Sequence, residues 1–90
     1  GRVRSVYSVG DAEAEMIEAH VLGTSPMSGQ KIRDIGFPEG VIVGGILRDG
    51  QYKKPNADFR IEEGDMIAIF ARAPDVPEVE RLLQVSIDYF

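Results

Sequence analysis

Apolar and polar residues alternate in several short stretches of the chain, with the period of two that β-strands show. Residues 15–22 place three apolar side chains on one side and Glu18 and His20 on the other, which predicts a strand with one face in water. Residues 41–48 and 66–71 are almost continuously apolar, which is typical of strands that are buried on both faces.

An Asp49-Gly50 pair follows the strand predicted over residues 41–48. It precedes residues 51–54, which have the composition of a further strand. A type I′ turn needs a positive φ at both of its central residues, and Asp-Gly satisfies that need better than most pairs. The sequence therefore predicts a tight hairpin here. Its register pairs these residues across the two strands: Arg48 with Gln51 and Leu47 with Tyr52.

Two helices are predicted from residues that favour helix ends. Ser25 and Pro26 have the preferences of an N-cap and a first turn, and the helix that they begin is expected to end at Gly36. Asp75 and Glu78 have the spacing of a capping box. They predict a second helix, whose apolar residues recur at helical spacing: Val76, Val79, Leu82 and Leu83.

The predicted order of elements is β-α-β-β-β-α, which indicates an α+β fold with a mainly antiparallel sheet and helices on one face. We expect the domain to span residues 15–84, after a linker over residues 1–14 from a preceding domain and before a C-terminal tail over residues 85–90. A chain of 90 residues with 43% apolar residues is large enough for one small core.

Both sides of the strand predicted over residues 41–48 are apolar, with Val43 and Leu47 on one side and Ile42 and Ile46 on the other. Two helices can cover only one face of so small a sheet, so we expect a second copy of the chain to cover the other. The alternative is a central strand that the domain's own loops bury. The residues predicted to form a homodimer interface are Val41, Ile42, Val43 and Ile46.

Charge and composition exclude several classes of partner. Ten Lys and Arg against 15 Asp and Glu give a net charge of −5, which argues against nucleic acid and against an anionic membrane surface. The chain has no Cys, so disulfides, thiolate metal sites and Cys nucleophiles are excluded. No apolar run is long enough for direct membrane insertion. A chain that begins without Met predicts a module of a longer protein.

Few residues offer catalytic chemistry. His20 is the only His and is interpreted as a solvated side chain, because a zinc site needs about four ligands of its kind or Cys. Residues 62–65 are interpreted as a solvated acidic turn. Gly44 and Gly45 lie within a predicted strand, where glycine more often permits close approach of another backbone or side chain than it holds a phosphate. We therefore expect no enzyme, no metal site and a binding or regulatory role.

Six short motifs follow one another along residues 14–72. They occupy residues 14–18 (AEMIE), 25–35 (SPMSGQKIRDI), 37–43 (FPEGVIV), 49–50 (DG), 55–58 (PNAD) and 63–67 (EGDMI). In this order and spacing they resemble the TrkA C-terminal domain family, also called RCK_C. Each motif is loose by itself, whereas the linked set is fairly specific.

The resemblance implies a regulatory domain of a peripheral cytoplasmic subunit that controls potassium uptake of the Trk type. Family members carry a preceding Rossmann domain, RCK_N, that binds NAD(H) or ATP, so the resemblance implies no cofactor in this domain itself. They form homodimers and larger rings beneath a membrane-embedded potassium transporter subunit, at the inner face of the plasma membrane. The implied mechanism is a population shift between two packings of the paired domains.

Some family members bind cyclic di-AMP between two copies of the domain, through an Asn at a position where this chain has Gly40-Val41-Ile42. The resemblance therefore does not predict that ligand here. For a different anion, the candidate ligand-binding side chains are Arg33, Arg48 and Asn56. Two alternatives stay open: a regulatory domain of another ion transporter or channel, such as a cation/proton antiporter or an anion symporter, and a free-standing small-molecule sensor.

Overall fold

The structure is a computed structural model that describes residues 3–9 and 14–84. Its strands are β1 (Val3–Val9), β2 (Ala14–His20), β3 (Ile42–Arg48), β4 (Gln51–Lys53) and β5 (Met66–Arg72). Its α-helices are α1 (Ile32–Ile35) and α2 (Val76–Leu83), and a 3-10 turn at Ala73–Asp75 leads into α2. The strands of the described residues form one sheet in the order β1-β2-β5-β3-β4, and each pair of neighbours is antiparallel.

The predicted α+β class with a mainly antiparallel sheet is confirmed, but the chain contains a strand that was not predicted. β1 lies within residues 1–14, where we expected a linker, and it pairs with β2 from Val9 opposite Ala14 to Val3 opposite Ala19. Residues 3–9 therefore extend the sheet at its edge. The tail predicted over residues 85–90 lies outside the described residues.

The hairpin between β3 and β4 forms as the sequence predicts. Asp49 and Gly50 have φ angles of 52° and 77°, the positive values that a type I′ turn requires. The register is also the predicted one, with these pairs facing each other: Arg48 with Gln51 and Leu47 with Tyr52.

The helix predicted to begin at Ser25 is much shorter than expected. Two successive hydrogen-bonded turns meet at Ser25. Its N–H donates to the Leu22 carbonyl at 3.0 Å, and its carbonyl accepts from the Ser28 N–H at 3.0 Å. Gly29 then adopts a left-handed φ of 80°, which no continuing helix tolerates. Only residues 32–35 form a helix, and Gly36 ends it with a φ of 79°, as predicted.

The capping box predicted for α2 is wrong. Asp75 already has helical backbone angles and makes no side-chain cap, because its carboxylate accepts a hydrogen bond from Arg72 Nε at 3.2 Å. Glu78 accepts from Arg81 Nε at 2.9 Å instead of reaching back to the helix start. The 3-10 turn at Ala73–Asp75 leads directly into α2 and leaves no room for the extended N-cap that the motif needs.

The core lies between one face of the sheet and α2, which buries the apolar side that the sequence predicted. Three residues outside the strands and helices complete it: Val21 directly after β2, Met27 from the turns before α1 and Ile61 from the segment before β5, all buried. The buried apolar residues of the described chain are Ile17, Ala19, Val21, Met27, Ile46, Ile61, Ile67, Ile69, Ala71, Val76, Val79, Leu82 and Leu83.

Ser25 joins the turn before α1 to the end of α2. Its hydroxyl accepts from the Met27 N–H at 3.1 Å and donates to the Leu82 carbonyl at 2.6 Å, one of the carbonyls that a helix end leaves without an internal partner. Because the group is buried, we expect Ser25→Ala to lower the free energy of unfolding by about 1–2 kcal/mol, measured by urea denaturation. Ser28→Ala in the same turn is the control and should change it by less than about 0.5 kcal/mol; equal effects would contradict the assignment.

Candidate functional site

The second face of the sheet is apolar, and no helix of the described residues packs on it. The register places alternate residues of β2, β5, β3 and β4 there. Three of the four large apolar side chains that are exposed in the described part of the chain lie on this face. We call it the open face and define it by these residues: Met16, Glu18, His20, Ile42, Gly44, Gly45, Leu47, Tyr52, Met66, Ala68 and Phe70.

A β-bulge decides which residues of β3 reach the open face. The pairing of β3 with β5 shifts between Val43 and Gly45, so Gly44 is the extra residue. An inserted residue reverses the alternation of faces beyond it. Ile42 and Leu47 therefore lie on the open face, while Val43 and Ile46 face the core.

Gly44 and Gly45 form the floor of a recess in the open face. A Cβ on Gly44 would lie 2.7 Å from Phe70 Cε2, and a Cβ on Gly45 would lie 3.0 Å from Tyr52 Cε1. The rings of Phe70 and Tyr52 can lie against β3 only because neither glycine has a Cβ atom. This confirms the prediction that these glycines permit close approach of another side chain. The recess has a volume of about 290 Å³ and is bordered by Met16, Leu47 and Met66.

The residues predicted to form a dimer interface do not share one surface. Ile46 is 1% exposed and belongs to the core, so its assignment to an interface is wrong. Val41 and Val43 are partly buried and pack against the same core. Ile42, at 60% exposed, does lie on the open face. The prediction assumed unbroken alternation along β3, and the bulge at Gly44 breaks it.

The three residues predicted to bind an anion fall into two places. Arg33 forms a salt bridge of 2.5 Å with Asp58, and Asn56 Oδ1 accepts from the Asp58 N–H at 2.9 Å, so Asp58 lies between them. Arg48 lies elsewhere, at the end of β3, and is engaged by Asp65. The structure therefore does not bring Arg33, Arg48 and Asn56 together in one site.

Arg48 and Asp65 form a two-pronged ion pair beneath the hairpin. Nε of Arg48 donates to Oδ1 and Nη2 to Oδ2, both at 2.8 Å. Nη2 also donates to the Arg60 carbonyl at 2.9 Å, and the guanidinium lies 5.0 Å from the centre of the Phe59 ring. Since Oδ2 accepts from the Glu62 N–H as well, the pair holds together the hairpin, the segment before β5 and the turn at residues 62–65.

Burial and hydrogen bonding act on the Asp65 carboxylate in opposite directions. Asp65 is 1% exposed, and burial alone would raise its pKa because it disfavours the charged form. The hydrogen bonds from Arg48 and from the Glu62 N–H outweigh burial and lower the pKa of Asp65 below its ordinary value of 3.8. The carboxylate is therefore charged at neutral pH and supports the fold in that form.

Sequence reasoning missed the role of Asp65 and most of the open face. The prediction of a solvated turn at residues 62–65 holds for Glu62 and Glu63, which are exposed, but is wrong for Asp65, which is buried. The alternation in Met66, Ala68 and Phe70 against buried neighbours could have pointed to the open face. Nothing in the residue pattern of β3 located the bulge.

The described residues offer little for metal chemistry. Among them, no three His, Cys, Asp or Glu side chains come together in a way that could hold a metal ion. His20 is exposed at the end of β2, in agreement with its interpretation as a solvated side chain. That the domain is not an enzyme stays a prediction. The helices of residues 14–84 are also too short or too polar to cross a membrane.

Comparison with known proteins places the chain in a family. The model of the TrkA-C domain matches residues 16–84. The Trk system potassium uptake protein TrkA of Azorhizobium caulinodans is 40% identical over 90 residues, which is 100% of this chain and 20% of that protein. TrkA of Haemophilus influenzae is 39% identical and covers 96% of this chain. The chain spans about a fifth of the length of these curated relatives.

Solved structures share the fold at low sequence identity. The RCK domain of GsuK has a TM-score of 0.71 at 17% identity and covers 93% of this chain and 19% of its own. The RCK C domain of the potassium transport protein KtrA, in complex with cyclic diadenosine monophosphate, has a TM-score of 0.65 at 24% identity and covers 77% of this chain and 82% of its own. With the match over residues 16–84, the chain belongs to the TrkA-C domain family.

Proposed function

We propose that this chain is the regulatory domain of a Trk-type potassium uptake protein and that it catalyses no reaction itself. The observation that carries the proposal is the match to Trk potassium uptake proteins along the whole chain, at 40% identity for the Azorhizobium relative. The open face supports such a role, because it exposes large apolar side chains on which no helix of the described residues packs.

The proposed mechanism is a shift between two packings of paired domains. A ligand or a nucleotide bound elsewhere in a longer protein changes an equilibrium only if it prefers one of the two packings. The open face supplies an apolar surface that would be covered to different extents in the two packings. The relatives are about five times as long as this chain, which covers 20% of the Azorhizobium protein.

The partners that we propose are those that the family resemblance implies. They are a second copy of the chain, larger rings of the intact protein and a membrane-embedded potassium transporter subunit at the cytoplasmic face of the membrane. NAD(H) or ATP would bind a preceding domain of such a protein, and this domain would need no cofactor.

A small anionic ligand is a secondary element of the proposal. The KtrA structure contains cyclic diadenosine monophosphate, which supports a ligand for this fold. In this chain Asp58 already occupies Arg33 through a salt bridge with both side chains more than half exposed. An anion at Arg33 and Asn56 would have to displace that carboxylate, a small barrier because exposed pairs contribute little.

The test is a chimera in which this chain replaces the matching 90 residues of the Azorhizobium relative. Produced in a strain that lacks the relative, the chimera should restore potassium uptake to at least half of the rate that the intact relative supports. The readout is the initial uptake rate at low external potassium.

The control is the same relative with the 90 residues deleted, and immunoblots establish that all proteins accumulate equally. Uptake by the chimera at the level of the deletion, with normal accumulation, would contradict a role in potassium uptake.

A further inference from the structure

We propose that Lys31 and Arg60 form a binding site for a small phosphate-bearing ligand, within one copy of the chain. This site deepens the proposed function, on which the inference rests, because it gives the regulatory domain a ligand class and a place to bind it. The site is separate from Gly40-Val41-Ile42, which begin β3. Arg60 lies at the other end of that strand, where its carbonyl accepts a hydrogen bond from Arg48 Nη2.

Two segments of the described chain pair with each other outside the main sheet. The Ile61 N–H donates to the Gln30 carbonyl at 2.8 Å, and the Ile32 N–H donates to the Phe59 carbonyl at 2.9 Å. The two bonds run in opposite directions between the segments, as in an antiparallel ladder. We call this pair of segments the short ladder and define it by residues 29–33 and 57–61.

The short ladder places two positive side chains directly opposite each other. Lys31 pairs with Arg60, and the two bonds that flank this pair make it a non-hydrogen-bonded one, with Cα atoms about 4.5 Å apart. The neighbours Ile32, Phe59 and Ile61 pack in or against the core, so alternation directs Lys31 and Arg60 to the outer side. Like charges in such a pair repel each other, and a bridging anion removes that repulsion.

No acidic side chain of the described residues neutralises either cation. The salt bridges within residues 14–84 involve these cations: Arg33, Arg48, Arg72 and Arg81. The Arg60 guanidinium is exposed and donates Nη1 to the Gly29 carbonyl. That bond orients the guanidinium and leaves its other N–H donors for a ligand. Lys31 is partly exposed, so both charges are accessible from solvent.

The chemistry of the pair favours a phosphate group. The planar fork of an arginine matches two phosphate oxygens, and a lysine supplies a second positive charge without demanding a fixed geometry. The net charge of −5 repels a large anionic surface. The short ladder itself carries three cations against Asp58 alone, and charges beyond a screening length of about 8–10 Å act only weakly on a small ligand.

Titration of the 90-residue chain with inorganic pyrophosphate, followed by NMR of its backbone amides, tests the proposal. The largest shifts should fall on the short ladder, with a dissociation constant of about 1–10 mM. Lys31→Gln and Arg60→Gln should each weaken binding about tenfold, because each removes a charge-assisted hydrogen bond. Arg72→Gln is the matched control: Arg72 is exposed at the opposite end of β5, so its loss should change binding less than about twofold.

Asp58→Asn should act in the opposite direction. It removes the one carboxylate of the short ladder and releases Arg33 from its salt bridge, so pyrophosphate should bind about twofold more tightly or better. A purely structural role of these residues would not produce tighter binding.

Thermal unfolding followed by circular dichroism separates binding from folding. Without ligand, Lys31→Gln should melt at the same temperature as the wild type or higher, because it relieves the repulsion between Lys31 and Arg60. Pyrophosphate should raise the melting temperature of the wild type and leave that of Lys31→Gln nearly unchanged.

Three results would overturn the proposal. The first is a titration in which no amide of the short ladder shifts, and the second is equal weakening by Lys31→Gln and Arg72→Gln. The third is binding to phosphatidylcholine vesicles that contain phosphatidic acid without binding to pyrophosphate, which would make the site one for a lipid surface.

The titration and the potassium-uptake chimera have independent outcomes. Restored uptake with a chain that does not bind pyrophosphate would overturn the site and leave the proposed function standing. Binding that depends on Lys31 and Arg60, with no uptake by the chimera, would support the site and contradict the proposed function.

Discussion

Replacing Asp65 by asparagine is expected to lower the free energy of unfolding by about 3 kcal/mol at neutral pH. The substitution keeps the shape of the side chain but removes its charge and one acceptor. Two N–H groups of Arg48 and the Glu62 N–H donate to the two carboxylate oxygens of Asp65. The asparagine side chain has only one oxygen, so its NH₂ group must face at least one of these donors. Asp65 is buried, and water cannot replace the lost partner.

The loss should depend on pH in a defined direction. The pKa of Asp65 in the folded protein lies below its ordinary value of 3.8, so the charged carboxylate contributes its full stabilisation above that value. The contribution is lost as the pH falls from about 4 through the lower folded pKa. Urea denaturation at pH 7 and at a series of acidic values should therefore show the wild type and Asp65→Asn converging as the pH falls.

Glu78→Gln is the matched control, because it makes the same chemical change in the exposed pair of Glu78 with Arg81. Exposed pairs contribute little, since water solvates both partners when they separate. We expect a much smaller loss for Glu78→Gln than for Asp65→Asn. Equal losses, or a difference between Asp65→Asn and wild type that grows toward acidic pH, would show that the buried pair has no special role.

Replacing Leu83 by alanine should lower the free energy of unfolding by about 3 kcal/mol. Leu83 is fully buried at the end of α2, where its removal leaves a cavity between the helix and the sheet. Because α2 packs on β5, the loss in the free energy of unfolding measures how much the packing of α2 on the sheet stabilises the fold. Urea denaturation with an unchanged m-value is the measurement.

Leu47→Ala makes the same change on the open face and is the control. Leu47 is 44% exposed, so its truncation removes little buried surface and should cost less than about 1 kcal/mol in a dilute, monomeric sample. Similar costs for the two leucines would mean that the open face is already covered within one copy.

Local features of the chain were predicted correctly where neighbouring residues alone decide them. The hairpin at Asp49-Gly50 and the end of α1 at Gly36 depend on φ preferences of one or two residues. The buried side of α2 follows from spacing within one helix. β1 was not predicted because its residues lack regular alternation. It is a strand because it pairs with β2, with Val9 opposite Ala14.

The candidate site shows where such reasoning ends. The sequence shows that β3 is apolar on both sides and that Gly44 and Gly45 leave room for a neighbour. It does not show that the ring of Phe70, from a strand more than 20 residues later, packs over Gly44. Nor does it show that the pairing of β3 with β5 shifts by one residue at Gly44. That slip moves Leu47 to the open face and Ile46 into the core.

Family membership, the fold class, the hairpin and the apolar character of β3 were thus determined by the sequence itself, because each rests on residue types at short spacing. The tertiary structure alone decided which apolar residues face solvent and that Asp65 is buried against Arg48. Both depend on pairing between distant segments, where a shift of one residue exchanges the two faces of a strand and a partner 17 positions away makes a buried charge stable.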